Sequence, residues 1–535
     1  MTAARHIPST HIATRMPYLL FLILIIALHP VKIKADGSDQ PNVVLILCDD
    51  MGFSDLGCYG SSIDTPNLDA LASNGVRFID FHNNAKCSET RATLMTGLWH
   101  QQTKNLKLQN HTTLARLAQS AGYQTAMVGK WHLNGNPTQH GFSKYFGFLS
   151  GTINFFTGSE WNSGKNNLYL GESLTEAGPD FYSTDTFTDY AIQYTREMNQ
   201  SSPDKPFFLY LAYNAPHFPL QAKPQDIQKY KGHFDEGWDV LRNKRYQKMM
   251  ELGLIDSNWT LPERDPKVES WDDLNPTEKA FLLPMMEVYA AMIDCLDQNI
   301  GRLVDHLEEI DQLDNTLIIF LSDNGACPYQ RLKNDILIPG GPESQIAYDA
   351  RWANLCNTPL RLYKQYAHHG GTQTPMIVHW PQGIEEKFNG SISKSPGHIV
   401  DIMPTLAEVF RAEYPTEDGI LPMEGRSLLK AFRNPKKTVD GHSYFWDFNA
   451  HHAVRTGQWK LVAERSKEWE LYNLSLDRTE ISNIANSHPD IVQRLSNLYN
   501  QWSTRVGATP HSKSRQLNPS SQSQIFDLKS ILRQE

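Results

Sequence analysis

The chain has 535 residues, a mass of 60.9 kDa and a formal net charge of −9 at pH 7. This length allows a few domains, or one large domain with an appendage. The acidic balance provides no overall basic field, which excludes a general nucleic-acid-binding protein.

The N-terminus has the pattern of a secretory signal peptide. Arg5 and Arg15 precede an apolar run over residues 17–28, and Ala35 offers a cleavage position. The run is shorter than the about 20 residues that a membrane-spanning helix needs. We therefore predict a signal peptide at residues 1–35, a secreted or periplasmic protein, and no membrane association after cleavage. An uncleaved signal anchor is the alternative.

The six cysteines are sparse for an exported chain, and no two of them form a Cys-X-X-Cys pair. This spacing argues against a disulfide-dense scaffold and against a cysteine zinc site. The cysteines are Cys48, Cys58, Cys87, Cys295, Cys327 and Cys356.

The first strong pattern after the signal is a continuous apolar run over residues 42–48, which predicts a buried parallel strand. Asp49 and Asp50 follow it, at the strand end where open α/β sheets bind ligands. Two adjacent carboxylates repel each other and need solvent or a shared cation. From this dipeptide alone, an ordinary acidic turn is the more common interpretation.

The segment Cys87–Gly97 carries a cysteine four residues before an arginine. A helix beginning near Cys87 would place Cys87 and Arg91 on one face and direct backbone N–H groups toward an anion. Arg91 could then bind anionic oxygens through its guanidinium fork. These features together predict an oxyanion ester site, although a buried, inert cysteine is the simpler interpretation of this segment alone.

Three later strands, predicted over 125–129, 206–213 and 316–321, also end in polar side chains. A long loop is predicted over 328–355, and a lysine follows it. The polar groups after these segments are Lys130, His132, His217, Asp323, Asn324 and Lys364.

Helical patterns alternate with the strands over residues 65–72, 112–121, 287–307 and 398–410. This alternation predicts an α/β fold with a large mixed, mainly parallel sheet sandwiched by helices, over residues 36–435. Four short strand patterns and a helix over 489–506 predict a small antiparallel sheet plus helix, a C-terminal α+β subdomain at residues 436–506. Residues 507–535 predict a flexible tail.

The ordered set of motifs resembles the sulfatase family of the alkaline-phosphatase-like superfamily, whose fold the resemblance implies for this chain. The resemblance covers roughly residues 40–505, and it is the order of the motifs that makes it specific. The matching segments are Pro41–Ile46, Asp49–Gly52, Cys87 with Arg91 and Thr96–Gly97, Gly129–His132, Ala215–His217, Ser322–Gly325, Pro359–Lys364, Gly425–Leu428 and Trp469–Leu474.

The resemblance implies an arylsulfatase-like sulfuric ester hydrolase that cleaves an aryl sulfate or a sulfated carbohydrate. Its nucleophile would be the hydrate of formylglycine (3-oxoalanine), which a formylglycine-generating enzyme makes from Cys87. It also implies one Ca²⁺ ion, with Mg²⁺ less favoured, held by hard oxygen donors. The implied metal ligands are Asp49, Asp50, the converted Cys87, Asp323 and Asn324.

The resemblance further implies roles for the cationic and imidazole side chains. Arg91 would hold the hydrate, and Lys130 and Lys364 would stabilise the sulfuryl oxygens. His217 would protonate the leaving alcohol, and His132 would take a proton as sulfate is expelled.

Two positions depart from the family pattern. Glu89 stands two residues after Cys87, where proline or alanine is usual, so it could impair conversion and bring negative charge close to the substrate. His369 stands where many relatives have glutamate, at a position that could orient Lys364.

Three functions are therefore open on the sequence alone. The first is an exported sulfuric ester hydrolase, which Cys87 and the two lysines favour. The second is a phosphatase or phosphonate monoester hydrolase of the same superfamily, and the third is an unmodified, inactive homologue that binds sulfated glycans, which Glu89 favours. Residues 101–110, 150–180 and 328–356 are expected to set the substrate.

Overall fold

The computed structural model describes residues 1–2, 40–103, 111–332, 338–417, 419–439, 441–465, 467–511 and 525–532. The described residues from Gln40 onward form one compact unit. The predicted signal peptide at 1–35 lies outside the described residues apart from its first two positions. Within the described ranges, no helix combines the length and the apolar character that crossing a membrane requires.

The strands belong to a large sheet, a small two-stranded sheet and a four-stranded C-terminal sheet. Numbered along the chain, they are β1 Asn42–Cys48, β2 Val76–Phe78, β3 Phe81–His82, β4 Gln124–Lys130, β5 Lys144–Phe148, β6 Leu168–Leu170, β7 Ser173–Thr175, β8 Phe207–Ala212, β9 Thr316–Ser322, β10 Met376–His379, β11 Ser391–Ser393, β12 Gly397–His398, β13 Ser443–Phe448, β14 His451–Thr456, β15 Trp459–Ala463 and β16 Glu470–Asn473.

The large sheet has ten strands in the order β11-β2-β10-β9-β1-β8-β4-β5-β6-β7. Its central strands β9, β1, β8, β4 and β5 run parallel, whereas β10 is antiparallel to both of its neighbours. The predicted large, mixed and mainly parallel sheet is confirmed.

The helices cover both faces of the large sheet or pack against the C-terminal sheet. They are α1 Pro66–Ser73, α2 Cys87–Thr96, α3 Leu114–Ser120, α4 Ser183–Ser201, α5 Pro224–Lys229, α6 Gly237–Glu251, α7 Pro276–Glu309, α8 Ala350–Cys356, α9 His369–Thr372, α10 Ile402–Phe410, α11 Leu429–Arg433, α12 Pro489–Val506 and α13 Leu528–Ile531, with short 3₁₀ helices at Gly57–Tyr59, His100–Thr103, Pro137–His140, Trp271–Asp273, Glu386–Phe388, Ile399–Asp401 and Ala485–Ser487.

Two hydrophobic cores explain why β1 is apolar from Val43 to Cys48. Val44 and Ile46 belong to the core formed with α1, α4 and α7, whereas Val43, Leu45 and Leu47 belong to the core formed with α2, α3 and α10. A strand that is covered on both faces has no solvent-facing positions, so its sequence does not alternate.

The C-terminal sheet is antiparallel in the order β13-β14-β15-β16, as predicted, and forms a third core with α12. The subdomain boundary at residue 436 stays a prediction. Residues 512–524 of the predicted tail lie outside the described residues. Phe526 lies within the predicted tail but is packed against the rest of the protein. Its ring contacts Phe281, and its backbone N–H donates to Asp349.

The helix predicted over 287–307 begins earlier, at Pro276, and two further local predictions differ from the structure. The strand predicted over 76–81 is divided into β2 and β3, because buried Asp80 turns toward arginines of the C-terminal part of the chain. The loop predicted over 328–355 contains the start of α8, whose first turn is capped by the Asp349 carboxylate accepting from the Arg351 N–H.

Candidate active site

The acidic groups meet because β1 and β9 are parallel neighbours whose last residues, Cys48 and Ser322, are in register. The residues that follow them therefore leave the sheet side by side. The Asp50 N–H donates to Asp323 Oδ1 at 3.2 Å, and Asn324 Nδ2 donates to Asp50 Oδ1 at 2.7 Å. Asp50 has a φ of 69°, a left-handed conformation that turns the chain sharply at this point.

The chemistry of this cluster fits a hard divalent cation. Candidate ligand atoms of Asp49, Cys87 and Asp323 all lie within 4.8 Å of one another. Asp49 Oδ1, Asp50 Oδ2 and Asn324 Oδ1 are buried and lack a hydrogen-bond partner within the part of the chain that the structure describes. Buried, unpartnered oxygens are costly, and carboxylate and amide oxygens are the ligands that Ca²⁺ prefers.

Helix α2 brings Cys87 and Arg91 to the same acids. The helix begins at Cys87, as predicted, after the extended residue Lys86. One turn later, Arg91 Nη2 lies 2.8 Å from Asp323 Oδ2, and Nη1 donates to the Lys130 carbonyl at 2.9 Å. Burial raises the pKa of Asp323 to about 6, with a contribution from the neighbouring Asp49, and the Arg91 charge opposes this shift.

Two buried lysines approach the site from different parts of the chain. Lys130, at the end of β4, places Nζ 2.5 Å from Asp49 Oδ2. Lys364 places Nζ 2.5 Å from Asp50 Oδ1 and 3.8 Å from Cys87 Sγ. Burial alone would lower the pKa of Lys364, but the surrounding acidic groups, Asp50 foremost, together outweigh it and hold that pKa well above its usual value.

Both predicted histidines lie at the site. His217 Nδ1 donates to the Phe218 carbonyl at 2.6 Å, and its Nε2 lies 3.4 Å from Asp50 Oδ2. Desolvation, reinforced by the charges of Lys130 and Arg91, holds the pKa of His132 well below its usual range. A neutral imidazole is the form that accepts a proton.

Every candidate site residue predicted from the sequence therefore lies in or against one cluster at the ends of β1, β4 and β9. Two family models match this chain. The sulfatase model matches residues 41–412, and a model described as "N-sulphoglucosamine sulphohydrolase, C-terminal" matches residues 361–504. The chain belongs to the sulfatase family. This sulfatase is accordingly a sulfuric ester hydrolase, as the sequence predicted.

Characterised and uncharacterised sulfatases resemble this one over most of their length. An uncharacterized sulfatase of Schizosaccharomyces pombe is 33% identical, with 89% of this chain and 95% of the relative covered. An arylsulfatase of Klebsiella aerogenes is 32% identical (74% and 92% covered), and an N-acetylglucosamine-6-O-sulfatase of Bacteroides thetaiotaomicron is 26% identical (88% of each).

Solved structures agree with the assigned fold. The crystal structure of Ps i-CgsB matches with a TM-score of 0.64 and 25% identity, covering 89% of this chain and 94% of the other. The phosphonate monoester hydrolase of Agrobacterium radiobacter matches with a TM-score of 0.56 at 19% identity, covering 87% and 96% of the two chains. At that identity, the second match shows a shared fold alone.

The two departures of this sulfatase from the family pattern have structural explanations. The Glu89 carboxylate accepts from Ser88 Oγ at 2.7 Å and lines a cavity of about 390 Å³ with His100 and Asp447. His369 donates its backbone N–H to Glu480 at 2.7 Å, and its Nδ1 meets the Arg478 carbonyl at 3.0 Å. The His369 contacts therefore lie toward the C-terminal sheet and not toward the Asp50–Lys364 pair.

Three side chains at the edge of the site were not predicted as site residues from the sequence. The Phe218 ring stacks on the His217 ring with centroids 4.2 Å apart, and the Tyr329 ring lies 5.5 Å from Lys364 Nζ. Arg331 lies over both rings. Phe218 could have been found from the sequence, because it directly follows the predicted site residue His217. Tyr329 and Arg331 had no such signal, since they were included only in the segment 328–356 that was expected to set the substrate.

Proposed function

We propose that this protein is an exported, Ca²⁺-dependent sulfatase in which Cys87 is converted to formylglycine by a formylglycine-generating enzyme. The hydrate of that residue would be the nucleophile that attacks sulfur. The observation that carries the proposal is the position of the Cys87 side chain. Its Sγ lies among carboxylate oxygens and 3.8 Å from Lys364 Nζ, where a nucleophile would meet both a metal site and an anion-binding cation.

The proposed ion would be held by the three side chains whose buried oxygens lack hydrogen-bond partners, together with Asp323 and the converted cysteine. Bound there, Ca²⁺ would neutralise the sulfate charge and lower the pKa of a coordinated hydroxyl. The ligand set is Asp49, Asp50, Cys87, Asp323 and Asn324.

The cationic side chains are held ready for a sulfate group. Lys130 and Lys364 are buried and fixed by ion pairs, so they would bind sulfuryl oxygens without reorganising. Arg91 is fixed by Asp323 and would orient the nucleophile from the next turn of α2.

The two histidines would carry out opposite proton transfers. Desolvation holds the pKa of His217 below its usual range, and the charge of Asp50, whose Oδ2 lies 3.4 Å from Nε2, opposes this shift. From Nε2, His217 would donate a proton to the leaving alcohol. His132 is kept neutral by its surroundings and would accept a proton when sulfate is released.

We propose a sulfated carbohydrate as the substrate, with aryl sulfates as simpler substrates. The name of the Bacteroides relative, an N-acetylglucosamine-6-O-sulfatase, supports this class. A solved structure of similar fold, described as a complex with its substrate D-glucosamine-2-N,6-O-disulfate, supports it as well. The structure adds a cavity of about 260 Å³ beside Phe218, whose ring lies edge-on to Trp161. The polar lining of that cavity includes Asn154, Ser159, Glu160, Asn162 and Gln345.

Mass spectrometry of the tryptic peptide Cys87–Arg91, prepared from the native host, tests the proposal. Conversion replaces CH₂SH by CHO, so we expect a loss of about 18 Da at Cys87. Cys356, which is equally buried, is the internal control and should keep its thiol mass. Detection of the thiol alone at Cys87, with no turnover of an aryl sulfate, would instead support the inactive, glycan-binding homologue.

A further inference from the structure

Arg331 is a cation held by two aromatic rings. Its guanidinium carbon lies 5.9 Å from the centroid of the Phe218 ring and 5.2 Å from that of the Tyr329 ring. No ion pair joins it to a carboxylate of any residue that the structure describes. Elsewhere on the surface, Arg302 and Arg505 are each paired with an acid.

The two rings connect Arg331 to the active site. Phe218 stacks on His217, and Tyr329 lies against the ammonium group of Lys364. His217 and Lys364 are buried, whereas Phe218, Tyr329 and Arg331 are partly exposed. The solvent exposure of the side chains therefore increases from the buried His217 and Lys364 to the partly exposed Phe218, Tyr329 and Arg331. Arg331 lies at the solvent end, on the side of the proposed proton donor to the leaving alcohol.

The position of Arg331 is fixed by neighbouring groups. Its backbone carbonyl accepts from the Ala347 N–H at 3.0 Å, and the Tyr329 hydroxyl accepts from Gln365 Nε2. Within the described residues, no hydrogen bond uses the guanidinium N–H groups of Arg331, so these donors are available to a ligand. A fixed guanidinium edge matches carboxylate or sulfate oxygens, which it binds in a bidentate manner.

We propose that Arg331 binds a second anionic group, a sulfate or a carboxylate, on the alcohol part of the substrate. The scissile sulfate would bind at Lys130 and Lys364, and Arg331 and Lys364 each lie against the Tyr329 ring. This enzyme therefore prefers glycans that carry two anionic groups. The inference rests on the proposed function, because the direction of the leaving alcohol follows from the role of His217.

Inhibition of 4-nitrophenyl sulfate hydrolysis by small sugars tests this preference. The inhibitors are N-acetylglucosamine 6-sulfate, which carries one anionic group, glucosamine 2-N,6-O-disulfate, which adds a second sulfate, and a 2-O-sulfated uronic acid, which adds a carboxylate. For the wild type, we expect at least one of the two dianionic sugars to inhibit about tenfold more tightly than the monosulfate, as one charge-assisted contact provides.

In Arg331→Gln, the ratio of the monoanionic to the dianionic inhibition constant should fall from about ten to near one. Arg331→Lys, which keeps the charge but loses the fork, should give an intermediate ratio. Arg433→Gln is the matched control, because Arg433 also lies over a ring, that of Trp380, away from the site. It should retain the wild-type ratio.

A wild-type ratio near one, or a ratio unchanged in Arg331→Gln, would overturn the inference. Calorimetric titration of the same sugars requires no turnover. If the enzyme hydrolyses no sulfate ester but still binds the dianionic sugars through Arg331, the proposed function fails and the anion site stands.

Discussion

At the scale of single residues, the site is a set of buried charges that nearly cancel. Three carboxylates match three cationic side chains, so a bound divalent ion makes the site net positive and suited to an anionic ester. This balance explains how so many charges are buried together. The pairs are Asp49 with Lys130, Asp50 with Lys364 and Asp323 with Arg91.

Replacement of Lys364 by methionine tests the role of the cation that lies beside both Cys87 and Asp50. We expect kcat for 4-nitrophenyl sulfate to fall by about 10²–10³-fold, the typical cost of removing one group that stabilises transition-state charge. The measurement is steady-state kinetics on protein whose fold is verified by circular dichroism.

Lys460 provides the matched control. Its Nζ lies 2.6 Å from Glu480 Oε1, and both side chains are fully buried, so Lys460→Met leaves an equally uncompensated carboxylate away from the site. The Lys460→Met substitution should lower the thermal midpoint of unfolding, whereas kcat of the folded protein should change less than threefold. Equal losses of kcat in both variants would mean that Lys364 acts only through stability.

The sequence predicted the site residues where local pattern and chemistry coincide. Asp49 and Asp323 follow apolar strands, and a parallel sheet brings such strand ends together. The neighbours of Glu89 and His369 could not be predicted in this way, because they come from the 3₁₀ turn at His100–Thr103 and from the segment that follows the C-terminal sheet. Their effect on the site depends on distant packing that no local pattern encodes.

At the scale of secondary-structure elements, strands and helices with strong periodicity were predicted well, and elements set by a single tertiary contact were not. β1 and β9 occur within one residue of the predicted bounds. The predicted strand over 76–81 is divided because Asp80 is drawn to Arg455 and Arg478, which are more than 370 residues away in sequence. Alternation of apolar residues carries no information about such a pair.

The ion pair between Asp80 and Arg455 joins the segment between β2 and β3 to β14 of the C-terminal sheet. Two contacts of 2.7 Å make it bidentate, and both side chains are almost fully buried. Arg455→Met should destabilise the protein by about 3 kcal/mol, because it leaves Asp80 with Arg478 as its remaining cationic partner. The thermal midpoint should fall by several degrees.

A double variant distinguishes this explanation from loss of packing alone. Asp80→Asn with Arg455→Met removes both charges, so its midpoint should lie well above the value expected from adding the two single effects. Arg494→Met, at an exposed position of α12, is the control and should leave the midpoint unchanged. Additive effects of the two single variants would contradict a coupled pair.

At the scale of the whole molecule, the fold concentrates chemistry at one edge of a sheet that is otherwise apolar. The three-layer arrangement could be predicted because strands and helices alternate along the chain. The C-terminal sheet was predicted from hairpin spacing, but its contact with the start of α9, between Glu470 and His368, was not. The segment that includes Phe526 was assigned to a flexible tail because it is short and isolated by polar residues, yet it packs between α7 and the start of α8.

Removal of the divalent ion tests the assembled site in the intact protein. The buried acids of the site repel one another, so chelation should lower the thermal midpoint as well as abolish aryl sulfate turnover. A ligand present at about a thousand times its Kd contributes roughly 4 kcal/mol to folding, which corresponds to a shift of several degrees. Calorimetry in EGTA, followed by addition of Ca²⁺ or Mg²⁺, measures the effect. Ca²⁺ should restore both properties more effectively.

The ion-dependent shift should require the proposed ligands. Asp49→Asn should lose most of the difference between the Ca²⁺ and EGTA midpoints. Asp185→Asn, which removes an acid paired with Lys223 outside the site, should retain it. Equal midpoints with and without Ca²⁺ in the wild type would contradict a structural role for the ion. A shift that persists in Asp49→Asn would assign the ion to other ligands, because the Asp49 carboxylate lies at the centre of both candidate clusters in the described residues.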